Sequence, residues 1–182
     1  MSRLGPWQPA NADERLDRVE SLAMIRQLAF RYALAIDSRD YDALVDLFVP
    51  DVRVGREQTG RDALKEWYQV ALGGLAASAH IVADHIVSFL DADHARGVVY
   101  CRDELHYGGD EWQVGLLQYW DSYTRVDGEW CFERRRFKRY YIADALTRPA
   151  VGLGVDAAGG GRLPTGLLPD AFADLDDFWR AT

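Results

Sequence analysis

The sequence has few of the features that mark secreted, membrane or nucleic-acid-binding proteins. Its two cysteines, Cys101 and Cys131, form no CxxC or other metal-binding spacing, which favours a reduced, cytoplasmic protein. No apolar run approaches the roughly 18 residues of a membrane span, and residues 1–15 lack the apolar segment of a signal peptide. With 21 basic against 29 acidic side chains, the net charge of −8 argues against nucleic acid or an anionic membrane as a partner.

The composition otherwise fits a globular protein. A length of 182 residues predicts one domain, and a hydrophobic fraction of 48% is enough to form a core. Aromatic side chains are frequent, with 6 Trp, 9 Tyr and 7 Phe. Such side chains fill cores and also line pockets for flat organic ligands, and composition leaves both uses open.

The first part of the chain predicts helices. Asn11 is a favourable N-cap, and apolar residues follow at spacings of three and four up to Ile36, which is typical of a long amphipathic helix. Asp40 predicts the cap of a second, short helix. A short strand over 52–54 precedes a third helix, which Gly73-Gly74 ends.

The pattern changes to strands after Ser78. Runs rich in β-branched and aromatic residues are separated by turn residues such as Asp127-Gly128, and they cover 81–90, 95–107, 112–125 and 130–142. These runs exceed the usual five or six residues, which favours a strongly curved antiparallel sheet with bulges. Helices followed by such a sheet predict an α+β domain over residues 1–142, with the helices packed on one face.

Residues 143–182 form a tail rich in glycine and proline that ends in a short amphipathic helix. The apolar face of this helix carries Phe172, Leu175, Phe178 and Trp179. Apolar residues are unusual in a solvated linker, so we expect the tail to dock on the rest of the domain or on a neighbouring subunit.

Several segments resemble the SnoaL-like family. Residues 31–41, followed by Leu44 and Phe48, are similar to the first helices of these proteins. The segments similar to the family's strands are 78–80, 97–100 and 123–130. The resemblance covers residues 15–142 and implies a cone-shaped α+β barrel, in which three helices clasp a curved sheet around a deep pocket. That fold hosts dehydratases, isomerases, cyclases and non-catalytic subunits, so it does not fix the chemistry.

Within the family, the pattern of functional residues is similar to that of bile-acid 7α-dehydratase. That enzyme has a Tyr and an Asp five apart on the first helix, a His opening a strand, an Asp on the next strand and an Arg on the last. The matching positions here are Tyr32, Asp37, His80, Asp103 and Arg139. The helical Asp and the strand His also resemble the pair in scytalone dehydratase and hexachlorocyclohexane dehydrochlorinase. The second catalytic His of scytalone dehydratase, and its Ser and Asn pair, have no match, which argues against its particular substrate.

The matched residues support elimination chemistry. A carboxylate that accepts one imidazole N–H fixes the tautomer and leaves the other nitrogen as a general base. The resemblance therefore implies that Asp37 orients His80, which removes a proton next to a carbonyl or benzylic position. Tyr32 would donate a proton to the leaving group, and Arg139 would stabilise an enolate or phenolate or bind a carboxylate.

Each of these residues also has a purely structural interpretation. His80, at the start of a strand, could be a surface residue or one whose hydrogen bonds are merely satisfied. Asp37 could begin a turn, and Tyr32 could fill the core with its hydroxyl satisfied. Asp103 could be a solvated strand residue, although alternation places it on an inward face, where an acid needs a reason. Arg139 belongs to the basic run 134–139, which is typical of a solvated face or a subunit contact.

The sequence predicts neither a cofactor nor a metal. Alternation along a strand places His80 and Asp84 on one face and His85 on the other, which separates a possible ligand set. No Gly-rich phosphate loop follows a strand, since Gly159-Gly160-Gly161 lies in the tail.

The function we expect is that of a cofactor-independent lyase with a His-Asp general base. It would eliminate water, or a small fragment such as formaldehyde, from a small aromatic or polycyclic alcohol. The alternatives are an isomerase, a polyketide-cyclase-type enzyme, or a non-catalytic small subunit of a ring-hydroxylating dioxygenase. We expect a homo-oligomer, a trimer ahead of a dimer, because relatives with this site are often trimeric. In the tail, the residues expected to shield the pocket mouth are Leu153, Leu163, Leu167 and Leu168.

Overall fold

The computed structural model describes residues 5–145 and 175–180. Three helices and a small hairpin precede a four-stranded sheet, and a short helix follows it. The elements are α1 Ala12–Ser38, α2 Tyr41–Asp46, β1 Arg53–Val54, β2 Gln58–Thr59, α3 Arg61–Leu72, β3 Ala77–Phe89, β4 His94–Gly108, β5 Glu111–Val126, β6 Glu129–Asp144 and α4 Leu175–Arg180. None of the helices in these two ranges is long and apolar enough to cross a membrane.

Side-chain caps define where the first two helices begin. The Asn11 carboxamide accepts a hydrogen bond of 2.9 Å from the Glu14 backbone N–H, which satisfies one of the unpaired donors of the first turn of α1. The α1 helix ends at Arg39, whose φ of 60° is left-handed. The Asp40 carboxylate then accepts from the Ala43 N–H at 3.0 Å and starts α2. The caps predicted at Asn11 and Asp40 are confirmed.

The main sheet is antiparallel in the order β3-β4-β5-β6, so each strand pairs with the next in the chain. Its ladders are interrupted between Val82 and His85, and again within the β4–β5 and β5–β6 pairs. Such irregularities bend long strands and increase their twist. The helices cover the inner face of this sheet, and the predicted α+β cone fold is confirmed.

The inner face of the sheet and the helices share one core. Ile25 and Leu44 from the helices meet Phe89, Tyr123 and Phe132 from the strands, and all five are 0% exposed. Burying such a side chain contributes about 1.5–3 kcal/mol, so this cluster is the main apolar stabilisation of the fold.

The outer face of the sheet carries a second, smaller cluster that includes α4. The Phe178 ring lies 5.2 Å from the Trp120 ring, and Arg96 Nη1 donates to the Phe178 carbonyl oxygen at 2.9 Å. The predicted C-terminal helix therefore exists over Leu175–Arg180. Four leucines of the tail, and Phe172, lie outside the described residues, so the predicted shielding of the pocket stays a prediction.

Candidate active site

Asp37 and His80 meet where the last turn of α1 crosses the start of β3. Asp37 Oδ1 lies 2.7 Å from His80 Nδ1, and Asp37 Oδ2 accepts the backbone N–H of His80 at 2.7 Å. The His80 side chain is 7% exposed and that of Asp37 is 24% exposed. This two-point contact fixes the imidazole with Nδ1 toward the carboxylate, which leaves Nε2 as the nitrogen free for chemistry.

The surroundings of Asp37 keep it ionised. Burial opposes the charge and raises its pKa. Hydrogen bonds from the His80 ring and backbone and from the Ser78 hydroxyl outweigh burial and hold the pKa of Asp37 below its ordinary value. A carboxylate in this place accepts the Nδ1–H of a neutral imidazole, and the lone pair of His80 then lies on Nε2. This is the geometry that an orienting carboxylate and a general base require.

Asp103 and Arg139 form a second pair beside the first. His80 is the direct cross-strand partner of Asp103, so their side chains share the inner face. Asp103 is 1% exposed, and its Oδ2 accepts from Arg139 Nη2 at 3.0 Å. The Arg139 side chain is only 15% exposed, which places it inside the cone and not on a solvated face.

A glycine makes room for this second pair. Gly115 is the cross-strand partner of Asp103 on β5. A Cβ at Gly115 would collide with Asp103 Oδ1 and would lie 3.2 Å from Arg139 Nη1. Among the described residues, neither Asp103 Oδ1 nor Arg139 Nε has a hydrogen-bond partner, although both are buried. Buried polar atoms are nearly always satisfied, so two unpaired atoms within one buried ion pair are unusual.

Tyr32 lies within the aromatic core. It is 5% exposed, its hydroxyl is 3.2 Å from that of Tyr68, and the Arg135 guanidinium stacks 4.2 Å from its ring. Asp37 follows five residues later on α1, a rotation of roughly 140° and a rise of about 7.5 Å. Burial raises the pKa of Tyr32 more than Arg135 lowers it, so the phenol is protonated. The ring of Tyr32 packs against Phe48, Tyr119 and Phe132, which agrees with the core interpretation.

A buried ion pair that the sequence analysis missed lies deeper in the cone. Asp121 is 0% exposed and Arg135 is 4% exposed in their side chains, and two hydrogen bonds of 2.9 and 2.7 Å join them. Burial lowers the pKa of Arg135, but Asp121 outweighs it and raises that pKa above its ordinary value. The Tyr123 hydroxyl donates to Asp121 at 2.8 Å and is 3.0 Å from His85 Nε2. His85 is therefore the donor to Tyr123.

The face predicted for His85 is wrong. His80 pairs with Asp103 and His85 pairs with Val99, and the two partners are four residues apart on β4, so both histidines face inward. The irregularity between Val82 and His85 adds one residue to β3 and so reverses the alternation. Burial, with the charge of Arg135, lowers the pKa of His85 to about 3, so this imidazole is neutral at physiological pH.

Other chemistries have little support at the site. Burial and the Asp103 carboxylate raise the pKa of Cys101 to about 12, so its thiol is protonated and a poor nucleophile. Residues 5–145 and 175–180 contain no group of three or more His, Cys, Asp or Glu side chains placed to hold a metal ion. A groove of about 630 Å³ beside Phe30, His85 and Ile86 does not include His80. We place the candidate site at the dyad, the pair of Asp37 and His80, because the side chains of Asp103 and Arg139 converge on it.

Comparison with known proteins identifies the family. A sequence profile described as a SnoaL-like domain matches residues 17–136. The chain belongs to the SnoaL-like family. Uncharacterized proteins of Mycobacterium tuberculosis and Mycobacterium bovis are 32% identical to this SnoaL-like chain over 126 residues, which cover 65% of it and 82% of each relative.

Solved structures agree with this assignment at the level of the fold. A hexachlorocyclohexane dehydrochlorinase from Novosphingobium barchaimii LL02 superposes with a TM-score of 0.62 at 23% identity, covering 76% of this chain and 96% of that one. A protein assigned as a scytalone dehydratase from Novosphingobium aromaticivorans gives 0.63 at 23% identity, with coverages of 74% and 93%. The SnoaL-like family and cone fold predicted from the sequence are confirmed.

Proposed function

We propose that the protein is a cofactor-independent lyase that eliminates water, or a small fragment such as formaldehyde, from a small aromatic or polycyclic alcohol. The observation that carries the proposal is the two-point contact of Asp37 with His80, which leaves Nε2 as an oriented base. General acid–base catalysis by a positioned histidine contributes about 10²–10⁴-fold to a rate. An oriented His-Asp pair of this kind argues against the alternative of a non-catalytic subunit.

In the proposed reaction, His80 Nε2 removes a proton next to a carbonyl or benzylic position. The C–H electron pair forms the new double bond and the C–O bond breaks. The leaving oxygen takes the proton back from the His80 imidazolium, so water leaves and the base is regenerated. For the loss of formaldehyde, His80 instead removes the hydroxyl proton, the C–C bond breaks as the C=O bond forms, and the carbon left behind takes the proton back. Arg139 stabilises the negative charge that develops on a substrate oxygen, and Asp103 holds the guanidinium in place.

Tyr32 has a different place in this proposal from the other four residues. Its hydroxyl is held by Tyr68 within the aromatic core. We therefore assign Tyr32 to the wall beneath the site, and we assign the proton donation to His80.

Both cysteines are free and buried, which supports the proposed cytoplasmic location. We further propose a homo-oligomer, a trimer ahead of a dimer, in which residues 143–182 dock on the barrel or on a neighbouring subunit.

The test is a screen of aromatic and polycyclic alcohols by mass spectrometry. A product lighter by water or formaldehyde identifies a lyase. A product of unchanged mass identifies the alternative, an isomerase or polyketide-cyclase-type enzyme that uses the same base.

Two substitutions then test the dyad on whichever alcohol reacts. We expect His80→Ala to reduce turnover by about 10²–10⁴-fold, and Asp37→Asn to reduce it somewhat less. The losses should be strongly non-additive, because the two residues act as one unit. The matched control is the exposed pair of His94 with Asp91, whose His94→Ala variant should keep full turnover. Turnover near that of the wild type in both dyad variants would refute the proposal.

A further inference from the structure

Two further side chains support the Asp37 carboxylate, Ser78 by a direct hydrogen bond and Arg39 through Ser78. Ser78 Oγ donates to Asp37 Oδ1 at 2.8 Å, and Arg39 Nη1 donates to Ser78 Oγ at 2.8 Å. Asp37 Oδ1 also lies 2.7 Å from His80 Nδ1. One carboxylate oxygen thus receives both the imidazole and a hydroxyl that is itself polarised by a guanidinium.

We infer that Arg39 and Ser78 are positioning residues that act through Asp37: their hydrogen bonds draw charge from its carboxylate and so limit how strongly Asp37 stabilises the imidazolium of His80. The inference rests on the proposed function of His80 as the base. It assigns neither residue a contact with the substrate. Both would act through Asp37.

The backbone at Arg39 supports a role for its side chain. Arg39 ends α1 with a φ of 60°, a left-handed conformation that glycine or asparagine usually supplies at this position. An arginine tolerates this conformation less well than glycine does. Its guanidinium, however, closes the end of the helix and reaches β3, because Nη1 donates to the Ile36 carbonyl as well as to Ser78. The side chain thus ties the helix end that carries Asp37 to the strand that carries His80.

The charges around His80 determine the direction of the effect. Asp37 alone favours the protonated imidazole, and a proton on Nε2 removes the base. The Ser78 hydroxyl shares the charge of the carboxylate, and the Arg39 cation disfavours a second cation nearby. The charged groups that face His80 from the elements packed against it are Asp37 and Arg39 of the α1 end, Asp103 of β4, and Arg139 of β6, which is paired with Asp103. Removing Arg39 or the Ser78 hydroxyl should therefore make His80 easier to protonate.

The experiment is an NMR titration of the His80 ring, which requires no substrate. The chain has four histidines, so the resonance is assigned by its loss in His80→Gln. In Arg39→Gly, the protonation midpoint of His80 should rise by about 0.5–1 pH unit, the size expected for removing one nearby charge. The fold should persist, because glycine suits the left-handed backbone. Ser78→Ala should shift the midpoint in the same direction, and Ser78→Thr, which keeps the hydroxyl, should restore it.

The matched control is Asp127→Gly. Asp127 is another non-glycine residue with positive φ, 51°, and it lies in the β5–β6 turn. The substitution makes the same backbone change without touching the dyad, so the His80 midpoint should stay at its wild-type value. The double variant of Arg39→Gly and Ser78→Ala should shift the midpoint by less than the sum of the two single shifts, because the two residues share one chain of hydrogen bonds.

Two results would overturn the inference. One is a His80 midpoint within about 0.2 pH units of the wild type in both Arg39→Gly and Ser78→Ala, since removal of a nearby charge should exceed that. The other is an equal shift in Asp127→Gly. A midpoint that moves as expected in a protein that turns over no alcohol would support the roles of Arg39 and Ser78 and contradict the lyase proposal. A loss of turnover in His80→Ala with an unmoved midpoint would do the reverse.

Discussion

At the scale of single residues, the site depends on Gly115, because its lack of a side chain leaves room for the neighbouring charged pair. Gly115 lies opposite Asp103 on β5, and the space above its Cα is filled by the carboxylate of Asp103 and the guanidinium of Arg139. The conformation of Gly115 is ordinary, so its use here is room and not backbone freedom. The second charged pair of the site exists because this one inner position carries no Cβ.

We predict that Gly115→Ala will destabilise the protein by about 1–3 kcal/mol, the usual cost of overpacking, because the added methyl group collides with Asp103. Turnover should fall with it, since Arg139 loses its partner. Denaturant unfolding and turnover on the reacting alcohol measure the two effects. The control is Gly74→Ala, where an added Cβ meets nothing within 4 Å. Equal effects of the two variants would contradict this account of the space.

A second residue-scale prediction concerns acid stability. The pKa of His85 in the folded protein is lowered from 6.5 to about 3, chiefly by burial. Between these pH values the unfolded chain binds more protons, so the stability present at neutral pH is lost as the pH falls. The loss is at most about 1.4 kcal/mol per pH unit. Unfolding in urea at pH 7 and pH 4.5 should show a shallower decline in His85→Gln than in the wild type. The exposed His94→Gln serves as the control, and an unchanged slope in His85→Gln would exclude His85 as the source.

At the scale of secondary-structure elements, local signals predicted most of the fold. Asn11 and Asp40 predict where α1 and α2 begin, because their side chains cap the first turn of each helix. The four strands were visible as separate runs because turn residues interrupt them. The irregularity after Val82 was not visible, because a bulge depends on how the sheet bends and Ala83-Asp84 carries no local signal for it. Strict alternation therefore predicts the wrong face for His85.

The buried pair of Asp121 and Arg135 was missed for a different reason. Alternation along β5 places Asp121 on the face of Tyr119 and Tyr123, the same argument that marked Asp103 as inward. The run 134–139 as a whole is typical of a solvated basic face, whereas alternation along β6 places Arg135 and Arg139 on one face. The pattern along a single strand does not show that Asp121 and Arg135 are partners, because the register between β5 and β6 determines which residues meet.

We predict a large effect from breaking this pair across the β5–β6 ladder. Asp121→Asn leaves the buried Arg135 cation without its counter-ion and should reduce the free energy of unfolding by about 3–5 kcal/mol. The matched change on the surface is Asp46→Asn, where the partner of Arg61 is 72% exposed, and it should cost about 0–1 kcal/mol. Denaturant titrations of both variants make the comparison. A loss in Asp121→Asn as small as that in Asp46→Asn would show that Arg135 finds another partner.

At the scale of the whole molecule, several large apolar side chains remain exposed on the described chain. Phe30 is 46% exposed and Ile86 is 56% exposed, and both line the groove between α1 and β3. Contiguous apolar surface of this kind is typical of an interface. Light scattering at micromolar concentration should report a homo-oligomer, a trimer ahead of a dimer. Ile86→Glu should weaken it, whereas Val70→Glu, at an 83% exposed position on α3, should not. Light scattering that reports a monomeric wild type would contradict the prediction.

The last prediction concerns the tail as a cover for the site. Exclusion of water strengthens the electrostatic contacts inside a site, so removing a cover should lower turnover more than stability. Truncation after Ala150 removes the four leucines, but it also removes α4 and its contact with Trp120. Phe178→Ala separates the two effects, because it disturbs the packing of α4 and leaves the rest of the tail in place. We expect the truncated chain to lose most of its turnover on the reacting alcohol, and Phe178→Ala to keep most of it, at comparable losses of unfolding free energy. Full turnover in the truncated chain would refute the cover, and equal losses in both variants would assign the effect to α4.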